Sequence, residues 1–156
     1  MFVSCLSKKT HSGASECVKG EEMQLAFEIN IKPVPQARPR FYTRHYGLKH
    51  FVGAYDPKQC KNFKEVVAWH AKTIAMENGL KEPVRDPIVL SLIFQLGENK
   101  KEKFHIKRPD IDNLAKGVKD ALRGIIYHDD SQIIEAHLIK RFGKPMVKVE
   151  IKTFAL

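Results

Sequence analysis

Five aspartates fall within RPDIDNLAKGVKDALRGIIYHDDSQI, Arg108 to Ile133, in a chain whose formal net charge is +9. Asp110 and Asp112 stand two apart, Lys116 follows Asp112 by four, and Asp129-Asp130 close the stretch. Neighbouring carboxylates repel unless a proton or cation lies between them. Their hard oxygens select Mg²⁺ or Mn²⁺, and Mg²⁺ takes one or two carboxylates with waters and substrate phosphate oxygens. The chemistry offered is metal-assisted phosphodiester hydrolysis.

Spacing sets a condition on that chemistry. Inside one helix, side chains two apart diverge by about 200°. Asp110 and Asp112 therefore converge only if Asp110 stays extended or acts as N-cap, which Pro109 favours by keeping Arg108 off helical angles. Asp130 is expected to return beside them. Adjacent residues in extended chain face opposite ways, so one of Asp129 and Asp130 should reach the metal while the other caps or orients. Lys116 is placed to hold Asp112 charged or to contact the reacting phosphate. Each feature also has a plainer reading: capping for Asp-x-Asp, a solvated i, i+4 series for Lys116 and Asp120, and a turn at Asp129-Asp130-Ser131. Spacing alone leaves both standing.

The elements that must position these residues follow from periodicity. Ile111, Leu114, Val118, Ala121, Leu122 and Ile125 recur at helical steps, so the stretch is an amphipathic helix. Before it, QLAFEINI (Gln24 to Ile31) alternates as a half-buried strand. KPVPQARPRF carries three prolines and is held extended or at a sheet edge, stiffening Arg38 and Arg40. In HFVGAYDP, Asp56 is a predicted N-cap with Pro57 at the first helical position, and the following helix runs to a Gly79 cap. PIVLSLIFQLG reads as a central strand covered on both faces. The last residues alternate on either side of Gly143-Lys144, which predicts an antiparallel C-terminal hairpin. The layout is ββ(β)αβαββ. This is an α/β chain of the α+β type, with a mixed sheet and two main helices in one small domain over 23–156, after a flexible extension over 1–22.

The 156 residues suffice for a core without staples. Three cysteines with no C-x-x-C pair argue against a disulfide framework or thiolate zinc site. With no apolar run of about 18 residues and no signal-peptide h-region, the expectation is a cytoplasmic protein without membrane contact. The basic excess makes a nucleic acid the leading partner.

RPDIDNLAKGVKDALRGIIYHDDSQI, together with PVPQARPRF upstream, resembles the signature of the RusA family of Holliday junction resolvases. The resemblance covers about Met23 to Phe154. It implies a homodimer that cuts four-way DNA junctions symmetrically with Mg²⁺, or Mn²⁺ in its place. Asp110, Asp112 and Asp130 match that family's catalytic, metal-binding aspartates, Lys116 its catalytic lysine, and Asp129 the neighbouring acid. Arg38, Arg40, Lys107 and Arg108 are the expected DNA contacts, with His105 beside them. His128 is read as incidental. A nuclease directed at flaps or forks, and a catalytically silent junction-binding protein, remain as rival readings. An Asp-x-Asp phosphatase nucleophile is weaker, since the charged loop before Asp110 is no strand.

Overall fold

The computed structural model describes residues 23–38, 40–46, 49–99 and 101–154. The expected N-terminal extension lies outside them. Their strands are β1 (Gln24–Ile29), β2 (Arg40–Tyr46), β3 (Lys49–Tyr55), β4 (Ile88–Gly97), β5 (Ile133–Arg141) and β6 (Gly143–Thr153). The helices are α1 (Lys58–Glu77) and α2 (Ile111–Leu122), with a 3-10 turn at Asp130–Gln132. This is the layout the periodicity predicts.

β4 organises the molecule. The main sheet runs β1-β6-β4-β5, with β4 antiparallel to β6 and parallel to β5. Three cross-strand rows, Leu25-Ile151-Leu90, Phe27-Val149-Leu92 and Ile29-Val147-Phe94, form one buried face. Phe63, Val67 and Ala71 of α1 and Leu114, Val118 and Leu122 of α2 join them in a single core. Only one face of β4 is fully buried. Val89, Ser91 and Ile93 are half-buried, so the expectation of cover on both faces is corrected to a two-layer arrangement. The solvated face carries ion pairs such as Lys148–Glu150 at 2.9 Å.

The predicted C-terminal hairpin is not formed. β5 and β6 lie on opposite sides of β4, and Phe142 alone separates them in sequence, so the chain turns over the end of β4 where Gly97 pairs with Gly143. Alternation reports which face of a strand is buried, not which strand lies beside it. β4 gains two neighbours by this route and is the better buried for its apolar sequence.

Gly79, at φ 72°, closes α1 as expected, with Leu80 N donating to Ala75 O and Gly79 N to Met76 O. The start of α1 differs. Pro57 occupies the N-cap and no side chain caps the helix. Asp56 instead accepts from Gln36 Nε2 and Lys64 Nζ, each at 3.0 Å, and Lys64 also donates to Asp120 at 3.0 Å. One cation thus ties α1 to α2 and to the proline-rich segment. Gln36 N further bonds Asn113 O at 2.8 Å, seating that segment against the start of α2. Among the described residues no helix is long and apolar enough to cross a membrane.

Hydrogen bonds from Lys64 and then Gln36 hold Asp56 below its ordinary 3.8, so its contribution is present above that value and lost as pH falls through the lower folded one. Burial pulls Lys64 down, but its bonds to Asp56 and Asp120 outweigh this and raise it, so its contribution disappears only as pH rises beyond 10.5. Lys64→Met should cost about 1–2 kcal/mol near neutrality in urea unfolding, given partial solvent screening. The deficit should shrink at about pH 3; a deficit equal at both pH values contradicts the network.

Candidate active site

α2 begins at Ile111. Asp110 sits at the N-cap in extended backbone, φ −71° and ψ 142°, and its side chain makes no capping bond. The condition set by the i, i+2 spacing is met, and capping does not account for the carboxylate. Asp112 lies in the first turn, where helix amides favour its charge. Asp110, Asp112 and Lys116 are exposed, and no ion pair joins Asp112 to Lys116 among the described residues. The Lys116 charge instead adds to the forces lowering Asp56, behind Lys64 and Gln36. Asp120 leaves the expected i, i+4 series to pair with Lys64.

The other acids are fixed by a different device. Asp129 is the N-cap of the 3-10 turn and accepts from Ser131 N at 3.0 Å. Bonds from the Ser131 backbone and then its hydroxyl hold Asp129 below the usual carboxylate value. Gln132 completes a capping box: its Oε1 accepts from His128 N and Asp129 N at 2.8 Å each, while Nε2 donates to Val84 O at 2.9 Å and Asp86 O at 3.1 Å. Asp129 is therefore the capping member of the pair.

Asp130 is the member left over. Its Oδ1 is buried and accepts no hydrogen bond. Such an oxygen is costly unless a proton or cation reaches it. Tyr127, fully buried beside it, donates to Lys119 O at 3.1 Å, and its hydroxyl is also within hydrogen-bonding reach of the Asp130 carboxylate. Burial, then the nearby Asp130 charge and a hydrogen bond to it, push the Tyr127 hydroxyl well above its ordinary value.

The topology separates these two groups. β5 runs parallel to β4 from Ile88↔Ile133 to Gln95↔Arg141, so α2 must carry the chain back along the sheet. Asp110 and Asp112 stand at its start and Asp129-Asp130 beyond its end. Twelve helical residues span about 18 Å. Among the described residues no three of His, Cys, Asp or Glu are grouped to hold one metal ion. The expected return of Asp130 beside Asp110 and Asp112 thus does not occur within one chain. The carboxylate oxygens are of the chemistry that suits a hard divalent cation, but one chain does not bring the two groups of them together.

Arg38 is exposed, two residues past the Gln36–Asn113 bond, which brings it towards the Asp112 end. The side chain of Arg40 lies outside the described residues. Lys107 and Arg108 are exposed on the loop before Asp110, His105 Nδ1 lies 3.1 Å from Lys107 O, and His128 is exposed beside the acids. Sequence reasoning missed the hydrogen bonds that Gln132 makes to the acidic turn and that Lys140 makes to the loop before Asp110. Asp129-x-x-Gln132 has capping-box spacing, and Lys140 interrupts the apolar phase of Leu138 and Phe94, so both left a readable trace.

Comparison with known proteins adds two findings. The profile of a family described as Endodeoxyribonuclease RusA matches residues 30–152. The chain is also similar to "Uncharacterized protein YqaN" of Bacillus subtilis (strain 168), 32% identical over 148 residues that cover 88% of this chain and 96% of that protein.

Gln132→Ala removes four hydrogen bonds at once and should destabilise the acidic turn by on the order of 2 kcal/mol. Hydrogen exchange at the His128 and Asp129 amides should accelerate by about tenfold or more. Unchanged protection would show that the glutamine does not hold the turn.

Proposed function

We propose, for a chain that belongs to the RusA family of endodeoxyribonucleases, that its reaction is the Mg²⁺-dependent, paired and symmetric cleavage of four-way DNA junctions by a homodimer. The observation carrying this reading is the pair of carboxylate half-sites at opposite ends of α2. A twofold-related second chain completes both if it sets its Asp130 beside the first chain's Asp110 and Asp112. Closed twofold symmetry then yields two equal sites, matched to the near-twofold symmetry of a four-way junction.

Asp110, Asp112 and Asp130 would hold the ion, Mg²⁺ or Mn²⁺. When bound, such an ion lowers the pKa of a water and polarises the scissile phosphate. Asp129 orients Asp130 through the capped turn. Lys116, exposed one turn after Asp112, stabilises negative charge on the phosphate or the leaving oxygen. Arg38, Arg40, Lys107 and Arg108 collect the phosphate backbone, and the segment from Gln36 to Tyr55 that includes β2 and β3 has basic residues and no acid. Exposed Phe41, Val52 and Tyr55 on that ribbon offer apolar surface to bases or sugars.

Asp130→Asn should lower Mg²⁺-dependent cleavage of a synthetic four-way junction by more than about 100-fold, with metal-free junction binding retained. Cleavage at the wild-type rate would remove Asp130 from the site. Wild-type protein that cuts flaps or forks but not four-way junctions would overturn the junction assignment, and binding without cutting in Mg²⁺ or Mn²⁺ would overturn the nuclease reading. Arg38→Ala should weaken junction binding and reduce the salt slope by about one. Equal affinity and slope would take Arg38 out of the interface.

A further inference from the structure

Lys140 lies on the edge strand β5 opposite the buried Phe94, on the helix-bearing face, where a cation has no apolar reason to be. Its Nζ donates to Lys107 O and to Pro109 O, both at 2.7 Å. No carboxylate pairs with it among the described residues. These two carbonyls belong to the loop that delivers the chain, through a cis Arg108–Pro109 bond, to Asp110.

The second bond is the informative one. Pro109 O belongs to the peptide unit whose nitrogen is that of Asp110, and a peptide unit is planar, so fixing that oxygen fixes the plane before Asp110. The plane after Asp110 is fixed by its own carbonyl, which accepts from Leu114 N at 3.2 Å as α2 starts. Asp110 is thereby clamped on both sides, by the first turn of α2 and by a side chain from the edge strand of the sheet. Ordering two planes in an exposed loop costs conformational entropy, and charge-assisted bonds at this distance are strong enough to offset it.

We propose that Lys140 is a positioning residue for the metal half-site: it touches neither metal nor DNA but sets the backbone that aims Asp110 alongside Asp112. This rests on the reading of Asp110 as a metal ligand, and it adds a residue that acts on the ion through the backbone. A donor is what the position requires. Lys140→Arg retains donors for both carbonyls, whereas Lys140→Met keeps the length and loses them.

The test compares the full-length wild type with Lys140→Met, Lys140→Arg and the milder Lys140→Gln. Two readouts are used: hydrogen exchange without metal at the Leu114 amide, whose bond to Asp110 O opens α2, and the Mn²⁺ dependence of junction cleavage. Lys140→Met should speed exchange in that first turn and raise the Mn²⁺ half-saturation by about tenfold, in the range that outer partners of metal ligands contribute. Metal-free junction affinity should stay within about twofold, and Lys140→Arg, which keeps charged donors on a differently shaped head, should restore part of the effect. Lys140→Gln should fall between, and decides the matter if the methionine variant does not fold. Unchanged exchange and Mn²⁺ dependence, or a loss confined to metal-free DNA affinity, would overturn the proposal. If wild type itself cleaves no branched DNA, the functional reading falls, while the exchange result still judges the clamp.

Discussion

A helix of twelve residues stands between the two groups of carboxylates that the proposed reaction needs together. That separation follows from the sheet. β4 and β5 are parallel, so the chain must travel the length of β4 before it can pair again, and α2 is that journey. Its apolar stripe, Leu114, Val118 and Leu122, is held against the core, so neither end is free to approach the other. Whatever completes either half-site has to come from elsewhere, and a second copy of the chain is the simplest source consistent with the symmetric substrate proposed.

Each half-site is held by backbone contacts more than by ion pairs. At one end, Lys140 grips two carbonyls before Asp110. At the other, Gln132 uses both its oxygen and its nitrogen to pin the Asp129-Asp130 turn to the loop ahead of β4. Neither device pairs Asp110 or Asp130 with a cationic side chain. Charge pairing is used beside the site, where Lys64 joins Asp56 and Asp120 and locks α1 to α2. On the proposed function the basic surface and the acidic stretch are compatible, since the acids would hold the cation and the lysines and arginines would meet the polyanion.

Much of this was legible from residue types and spacing. Extended backbone at Asp110 followed from Pro109 and from the i, i+2 geometry, and a capping role for one of Asp129 and Asp130 from their adjacency. The helices and the order of elements followed from periodicity, and Gly79 marked its cap. Pairing partners were not legible: β5 and β6 alternate identically whether they form a hairpin or flank β4. Asp56 had the sequence context of an N-cap, but a lysine two turns into α1 and a glutamine from the proline-rich segment competed for it. The distance between the acids was hidden for the same reason, because only the parallel pairing of β5 with β4 places them at opposite ends.

The sharing of sites between chains is tested most directly by a mixed dimer. Chains bearing Asp112→Asn and Asp130→Asn, inactive on their own, are combined with distinct tags, and the heterodimer is isolated and given a four-way junction with Mg²⁺. If each site draws on both chains, one site in the heterodimer carries both substitutions and the other carries neither. Nicking of a single strand should then reappear from two inactive parents. A heterodimer as inactive as its parents would contradict a shared site and return Asp110, Asp112 and Asp130 to separate roles.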